Sequence, residues 1–201
     1  MTTDDFPFPL EPAITLRDPM TEFLGAGSGL FTYNFADVVK LAGHACPTVA
    51  GAFLMVVRAL ELLYPNDMPE RGDVAIVIPG LPDQGVHGPI SQVFTLVTGA
   101  AGENGFHGLG GRFVRKDLLR FDTSSTRAGP WYCFRRLSNG KSVYLSYSPQ
   151  AIPPDPGMSQ DMELVVAGHA DAATRERFKT AWRQRVQMIL ADGGRRTIRQ
   201  R

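Results

Sequence analysis

Apolar residues recur along this chain with two periods, and the alternation between them predicts the order of elements. Phe53, Val57, Leu60 and Tyr64 fall at helical steps, one face of a helix that starts at Pro47 and runs to about Leu63. Asn66-Asp67 marks its end. Residues 35–41, FADVVKL, predict a shorter helix leading into a turn at Gly43. Residues 73–78, DVAIVI, are β-branched and read as a strand. Residues 90–97, ISQVFTLV, fit either period. Gly88-Pro89 in front and Gly99 behind resemble the start and stop of a helix, so a helix is predicted there. A strand is expected within residues 112–121. A hairpin follows, residues 131–137 and 142–147 joined across Ser138-Asn139-Gly140-Lys141, because Asn-Gly suits a tight turn. The last amphipathic stretch spans about residues 172–191. Asp171 is its N-cap, and Phe178, Trp182, Val186 and Ile189 form its apolar face.

Between and around these stretches the pattern breaks down. Residues 1–34 read as an irregular arm, with prolines at 7, 9, 12 and 19 and glycines at 25, 27 and 29. Their apolar content (Phe6, Phe8, Leu10, Phe23, Leu24, Leu30 and Phe31) is too high for a disordered tail, so the arm is expected to pack over the core or a neighbouring subunit. Residues 151–160 read as a proline-rich connector, and no internal repeat is present.

Composition narrows the classes. A chain of 201 residues can bury one substantial core, and 43% hydrophobic with 20% charged residues fits a soluble globular protein. A net charge of +1 argues against a strongly basic nucleic-acid module. The longest apolar run, residues 49–57, ends at Arg58, far short of the roughly 20 residues a membrane span needs. The acidic, proline-following start is unlike a secretory signal. Two cysteines, Cys46 and Cys133, make no disulfide framework, so reduced thiols in a cytoplasm are expected.

The densest chemistry lies in Leu41-Ala42-Gly43-His44-Ala45-Cys46-Pro47. His44 and Cys46 are good transition-metal ligands two residues apart, where an apolar helix begins. Proline favours the first helical position, which makes Cys46 the N-cap. Its sulfur then faces free backbone N–H groups and the positive end of the helix dipole, both of which favour thiolate over thiol. A thiolate binds a metal or attacks an electrophile.

In these motifs the chain resembles the FmdE-like family of formylmethanofuran dehydrogenase subunits, whose pattern is Phe-His-Gly-His-x-Cys-Pro-Gly entering a helix. That pattern continues with a strand, a helix ending in Thr-Gly-Cys-Thr, and a Phe- and Tyr-rich hairpin with a Gly-Lys turn. Gly43-His44-Ala45-Cys46-Pro47 matches the first motif, Gln92 with Thr98-Gly99 the second, and residues 132–144 with Gly140-Lys141 the hairpin. The resemblance covers residues 35–148. It implies an α+β fold, helix-strand-helix followed by antiparallel strands, akin to the catalytic half of glyceraldehyde-3-phosphate dehydrogenase. On that basis residues 35–150 would be a metal-binding core, with residues 1–34 an arm and residues 151–201 a connector, helix and basic tail. It also implies a metal site and a homodimer. Ala42 and Ala100 stand where the family has a further His and Cys, Thr48 where it has Gly, and the four cysteines of the C-terminal zinc finger found in some members are absent. Only His44 and Cys46 carry over.

A functional metal site wants three or four ligands. His87, after the first strand and before a helix, is the preferred third. His107, in the glycine-rich loop 99–111, is the fourth, and Asp83 and Glu103 are weaker oxygen donors. The bland reading of both histidines is a solvated loop position. That glycine loop lacks the Gly-Lys-Ser/Thr ending of a phosphate loop; its glycines would let backbone pass close to a metal or ligand. His169 reads as a capping or surface residue and Cys133 as core. Trp131, Tyr132, Phe134, Tyr144 and Tyr147 read as strand packing, and Arg195, Arg196, Arg199 and Arg201 as a solvated tail that makes nucleic-acid binding unexpected.

The leading expectation is a divalent transition metal, zinc, on Cys46 and His44 with one more histidine, its open position binding or transforming an unidentified small ligand. The alternatives are a haem-binding or sensing protein using Cys-Pro and His, a metal-free thiol enzyme with Cys46 as catalytic nucleophile, and a non-catalytic subunit of a larger complex.

Overall fold

A computed structural model describes residues 6–124 and 130–201. The acidic start at residues 1–5 lies outside the described residues. The fold is α+β. A two-stranded antiparallel sheet, β1 (Ile14–Arg17) and β2 (Leu30–Tyr33), encloses a short helix α1 (Pro19–Phe23). The arm therefore has regular structure that its proline and glycine content concealed. Helix α2 (Phe35–Ala42) starts in a capping box between Asn34 and Asp37 and stops at Gly43, whose positive φ lets the chain reverse.

Helix α3 (Pro47–Leu63) is the centre of the molecule. All four residues of its expected apolar face are buried, but so are Ala50, Ala52, Leu54, Met55, Val56 and Ala59. A helix apolar on every side must be covered on every side. The sheet, α4 (His87–Thr98) and α6 (Ala172–Asp192) supply that cover. Gly51 permits the closest approach, since a Cβ there would fall on the ring of Tyr147.

The main sheet has the order β4-β3-β5-β6-β7, with β3 (Val74–Pro79), β4 (Leu119–Asp122), β5 (Tyr132–Arg136), β6 (Ser142–Tyr147) and β7 (Ile198–Gln200). β3 and β4 are parallel, linked through α4; the remaining pairs are antiparallel. The strand expected within residues 112–121 is confined to its last part. Residues before it form turns, with Phe113 and Asp117 at positive φ. The arginine tail is not frayed: β7 completes the sheet edge beside β6. Nor are residues 151–160 only a connector, because α5 (Met158–Val166) begins inside them and packs on α6.

The arm is held by a buried charge cluster. Asp18 is 5% exposed and accepts from Arg71 Nε at 3.1 Å and Arg115 Nη2 at 2.9 Å. Arg71 Nη1 also reaches the Tyr33 hydroxyl at 2.7 Å and the carbonyls of Leu96 and Val97, both at 2.6 Å. Phe6 and Phe8 pack on Phe35, whereas Phe23, Leu24 and Leu30 stay exposed. Among the described residues no helix is long and apolar enough to cross a membrane.

Candidate functional site

The topology places the His44–Cys46 segment and His87 at one end of the sheet. At the α3 N-terminus the Pro47 carbonyl accepts from Tyr147, the last residue of β6. At its C-terminus the Leu62 carbonyl accepts from Lys141, in the turn before β6. For α4, His87 Nδ1 meets the Tyr132 hydroxyl at the start of β5, and the Thr98 carbonyl accepts from Gly72 just ahead of β3. Both helices therefore run antiparallel to β3 and parallel to each other, with their positive ends at the same end of the strands.

Cys46 is the N-cap of α3, with an extended backbone, and its Sγ accepts from Val49 N–H at 3.4 Å. That contact occupies the place a serine or aspartate oxygen usually takes at a cap. Two side chains that the sequence pattern assigns only to packing fix the segment on either side. Trp182 Nε1 of α6 donates to the Ala45 carbonyl at 2.8 Å, and the Tyr147 hydroxyl donates to the Pro47 carbonyl at 2.7 Å. Burial raises the pKa of Tyr147 well above the ordinary phenol value, so it remains a neutral donor. No sequence spacing links positions 147 and 182 to residue 46; strand pairing and helix docking bring them there.

His44 is exposed, and its Nδ1 lies 2.9 Å from the Ala42 carbonyl. A carbonyl only accepts, so Nδ1 carries the hydrogen and the lone pair is left on Nε2. Metal-ligating histidines commonly have this pairing of one ring N–H with a backbone carbonyl. His87 is half-buried as the first residue of α4, not the last of the loop, with Nδ1 3.0 Å from Tyr132 Oη. Burial lowers the His87 pKa and pushes that of Tyr132 up to about 12, so both are neutral near pH 7. The loop preceding His87 fits closely: a Cβ at Gly80 would come 3.1 Å from its Cδ2 and Nε2, and Gly80 has a positive φ.

His107 stands apart. Its neighbour Phe106 accepts from Arg115 N–H at 2.9 Å, and Arg115 belongs to the cluster beside Gly72, at the far end of α4. Twelve helical residues put about 18 Å between those ends. The loop glycines there serve the chain itself: a Cβ at Gly105 would sit 2.7 Å from the backbone of Lys116. Asp83 and Glu103 are exposed, as is His169. Cys133 is not a core residue. It is half-buried on the sheet face away from α3, opposite Tyr144 of β6, and burial raises its pKa.

Among the described residues, no three His, Cys, Asp or Glu side chains are grouped so as to hold a metal ion. Ala100, where the resembled family has cysteine, is fully buried, and Ala42 closes the last turn of α2. Compared with protein-family models and with curated proteins, the chain matches none.

Proposed function

We propose that this chain is a metal-binding protein of the FmdE-like kind, holding one zinc-like divalent ion at the N-terminus of α3. Cys46 Sγ and His44 Nε2 are the protein ligands, and the remaining positions are filled by water or a small ligand. The observation that carries this reading is the paired preorganisation of the two donors. The Ala42 carbonyl holds His44 in the tautomer with a free Nε2, and Trp182 and Tyr147 hold the backbone on both sides of Cys46. The donor set fits a soft ion in part: one sulfur and one imidazole are two of the three or four ligands that zinc usually takes. A zinc ion with open positions supplies Lewis acidity to a bound ligand or water. The neighbouring helix α4 begins at the same end of the sheet with His87, a neutral imidazole paired with the Tyr132 hydroxyl and available through its other nitrogen to a ligand that reaches it.

The test is zinc content. Protein purified without an affinity tag is expected to carry close to one zinc per chain. Cys46→Ser is expected to fold and carry almost none, because serine keeps the capping role through its hydroxyl oxygen but loses the soft sulfur ligand. Equal zinc in matched samples of the two proteins would remove Cys46 from the ligand set.

A second reading, a metal-free thiol site with Cys46 as nucleophile, is favoured by the lack of a third grouped ligand among the described residues. It predicts that added zinc leaves the alkylation rate of Cys46 by iodoacetamide unchanged, whereas the metal reading predicts protection.

A further inference from the structure

The two faces of the main sheet differ sharply. Helices α3 and α4 pack on one. The other carries the alternate residues of each strand, and their register is fixed by pairing: Ala75 opposite Arg135, Val77 opposite both Cys133 and Arg120, Cys133 opposite Tyr144, and Ser146 opposite Arg199. This face lines a cavity of about 490 Å³, of the size that takes a small ligand. Of the residues lining it, three are arginines, Arg120, Arg135 and Arg201, against one side-chain carboxylate, Asp122. Asp122 is already engaged by Arg120 at 3.4 Å and by Ser124. Arg199 adds a fourth guanidinium to the same face. In a chain of net charge +1, that is a marked concentration of positive charge.

The relief of the face is as specific as its charge. To the cavity β3 contributes Ala75 and Val77, small side chains between the larger Arg120 of β4 and Arg135 of β5. β4 and β5 lie two strand spacings apart, about 10 Å, so the floor of the trough is flat, apolar and wide enough for one heteroaromatic ring. Tyr144, 43% exposed on β6, adds an aromatic face beyond Cys133. Arginines rimming a flat apolar floor suit a molecule with one flat ring and a phosphate, since guanidinium groups both stack on rings and bind phosphate bidentately. A second copy of this chain suits the face badly, because a two-fold contact would bring the same arginines of both copies together.

We propose that the helix-free face of the sheet is a binding site for a small organic phosphate bearing a flat heteroaromatic ring, of mononucleotide size. The ring lies over Ala75 and Val77 beside Arg120, and the phosphate is held between Arg135 and Arg201. This site is separate from the Cys46 site and does not depend on it.

Calorimetric titration of the full chain with AMP, GMP, CMP, UMP and FMN tests the proposal. At least one is expected to bind with a Kd below about 1 mM, and more tightly than the matching nucleoside (riboflavin for FMN) or inorganic phosphate alone. Arg135→Glu combined with Arg201→Glu is expected to weaken that binding by at least about 10-fold, the effect of losing one good phosphate contact. Should the charge reversal compromise folding, Arg120→Gln with Arg135→Gln, which keeps polar side chains at exposed positions, is expected to weaken it in the same direction. Failure of all five probes to bind overturns the proposal, as does unchanged affinity in a folded variant. Tighter binding of a ten-residue oligothymidylate than of any mononucleotide would make the ligand a nucleic-acid strand and overturn it too. Self-association of the wild type that is lost in the variants would assign the face to a second copy, with the same consequence.

Discussion

His87 is the single residue whose surroundings most clearly set its behaviour. Its ring is half-buried against Tyr132 and Gly80, and burial lowers its pKa below the ordinary 6.5. At pH above 6.5 the ring is neutral in both folded and unfolded chains, and the folded state is not penalised. As the pH falls below 6.5 the unfolded chain takes up the proton first, so stability is progressively lost until the pH passes below the folded pKa. The melting temperature of the wild type is therefore expected to fall more steeply between pH 7 and pH 5 than that of His87→Asn, whose amide can still pair with Tyr132. Parallel melting profiles for the two proteins would show that His87 is freely hydrated. At this scale much of the site was legible. The helix start at Pro47 and the N-cap role of Cys46 follow from local chain chemistry; His87 was expected at the end of the loop and is instead the first residue of α4. The Ala42 carbonyl that fixes the tautomer of His44 was not legible, because it depends on the left-handed turn at Gly43 folding the chain back on itself.

Among elements, the packing of α3 against β6 is the contact on which the site's position depends. The ring of Tyr147 occupies the space over Gly51, and its hydroxyl holds the Pro47 carbonyl beside Cys46. Gly51→Ala should gain about 1 kcal/mol of helix propensity but force a methyl group into that ring. Overpacking of this kind costs about 1–3 kcal/mol, and the ring is held at both ends, so a net loss is expected. A lowered urea midpoint with unchanged slope would record it; a raised midpoint would show that Tyr147 moves aside freely. The sequence pattern marks α2, α3, α4 and α6, and the β5–β6 hairpin, each carrying its own caps, breakers or turn residues. The pattern does not mark β1, β2, α5 or β7. The three strands are short and their hydrogen-bond partners lie well away in sequence, whereas α5 is a mostly exposed helix with a single buried residue, so no local apolar period records them.

In the whole molecule, the arm and the core are joined by charge as well as by apolar contact. Asp18 is the carboxylate shared by Arg71 and Arg115, which are themselves largely buried. Removing one partner of such a cluster leaves uncompensated buried charge, at a cost of about 3–5 kcal/mol. Asp18→Ala is therefore expected to lower the melting temperature severely. Glu22→Ala, which breaks only the exposed pair with Arg17, should change stability by no more than about 1 kcal/mol. Similar small effects from both would show that the arm is held by Phe6, Phe8 and Leu16 alone. By itself, the amino-acid sequence determined the main helices, the hairpin and the His44–Cys46 segment at a helix start, because caps, breakers and apolar periods act over a few residues; the α+β class was what the resemblance implied. Only the tertiary structure decided that α3 and α4 point their N-termini to one end of the strands, that His107 lies at the other, that Cys133 faces a cavity instead of the core, and that the last arginines pave the open face of a sheet. Each of these depends on which distant segments pair, and pairing is settled by burying the whole apolar surface at once, a condition no local stretch of sequence contains.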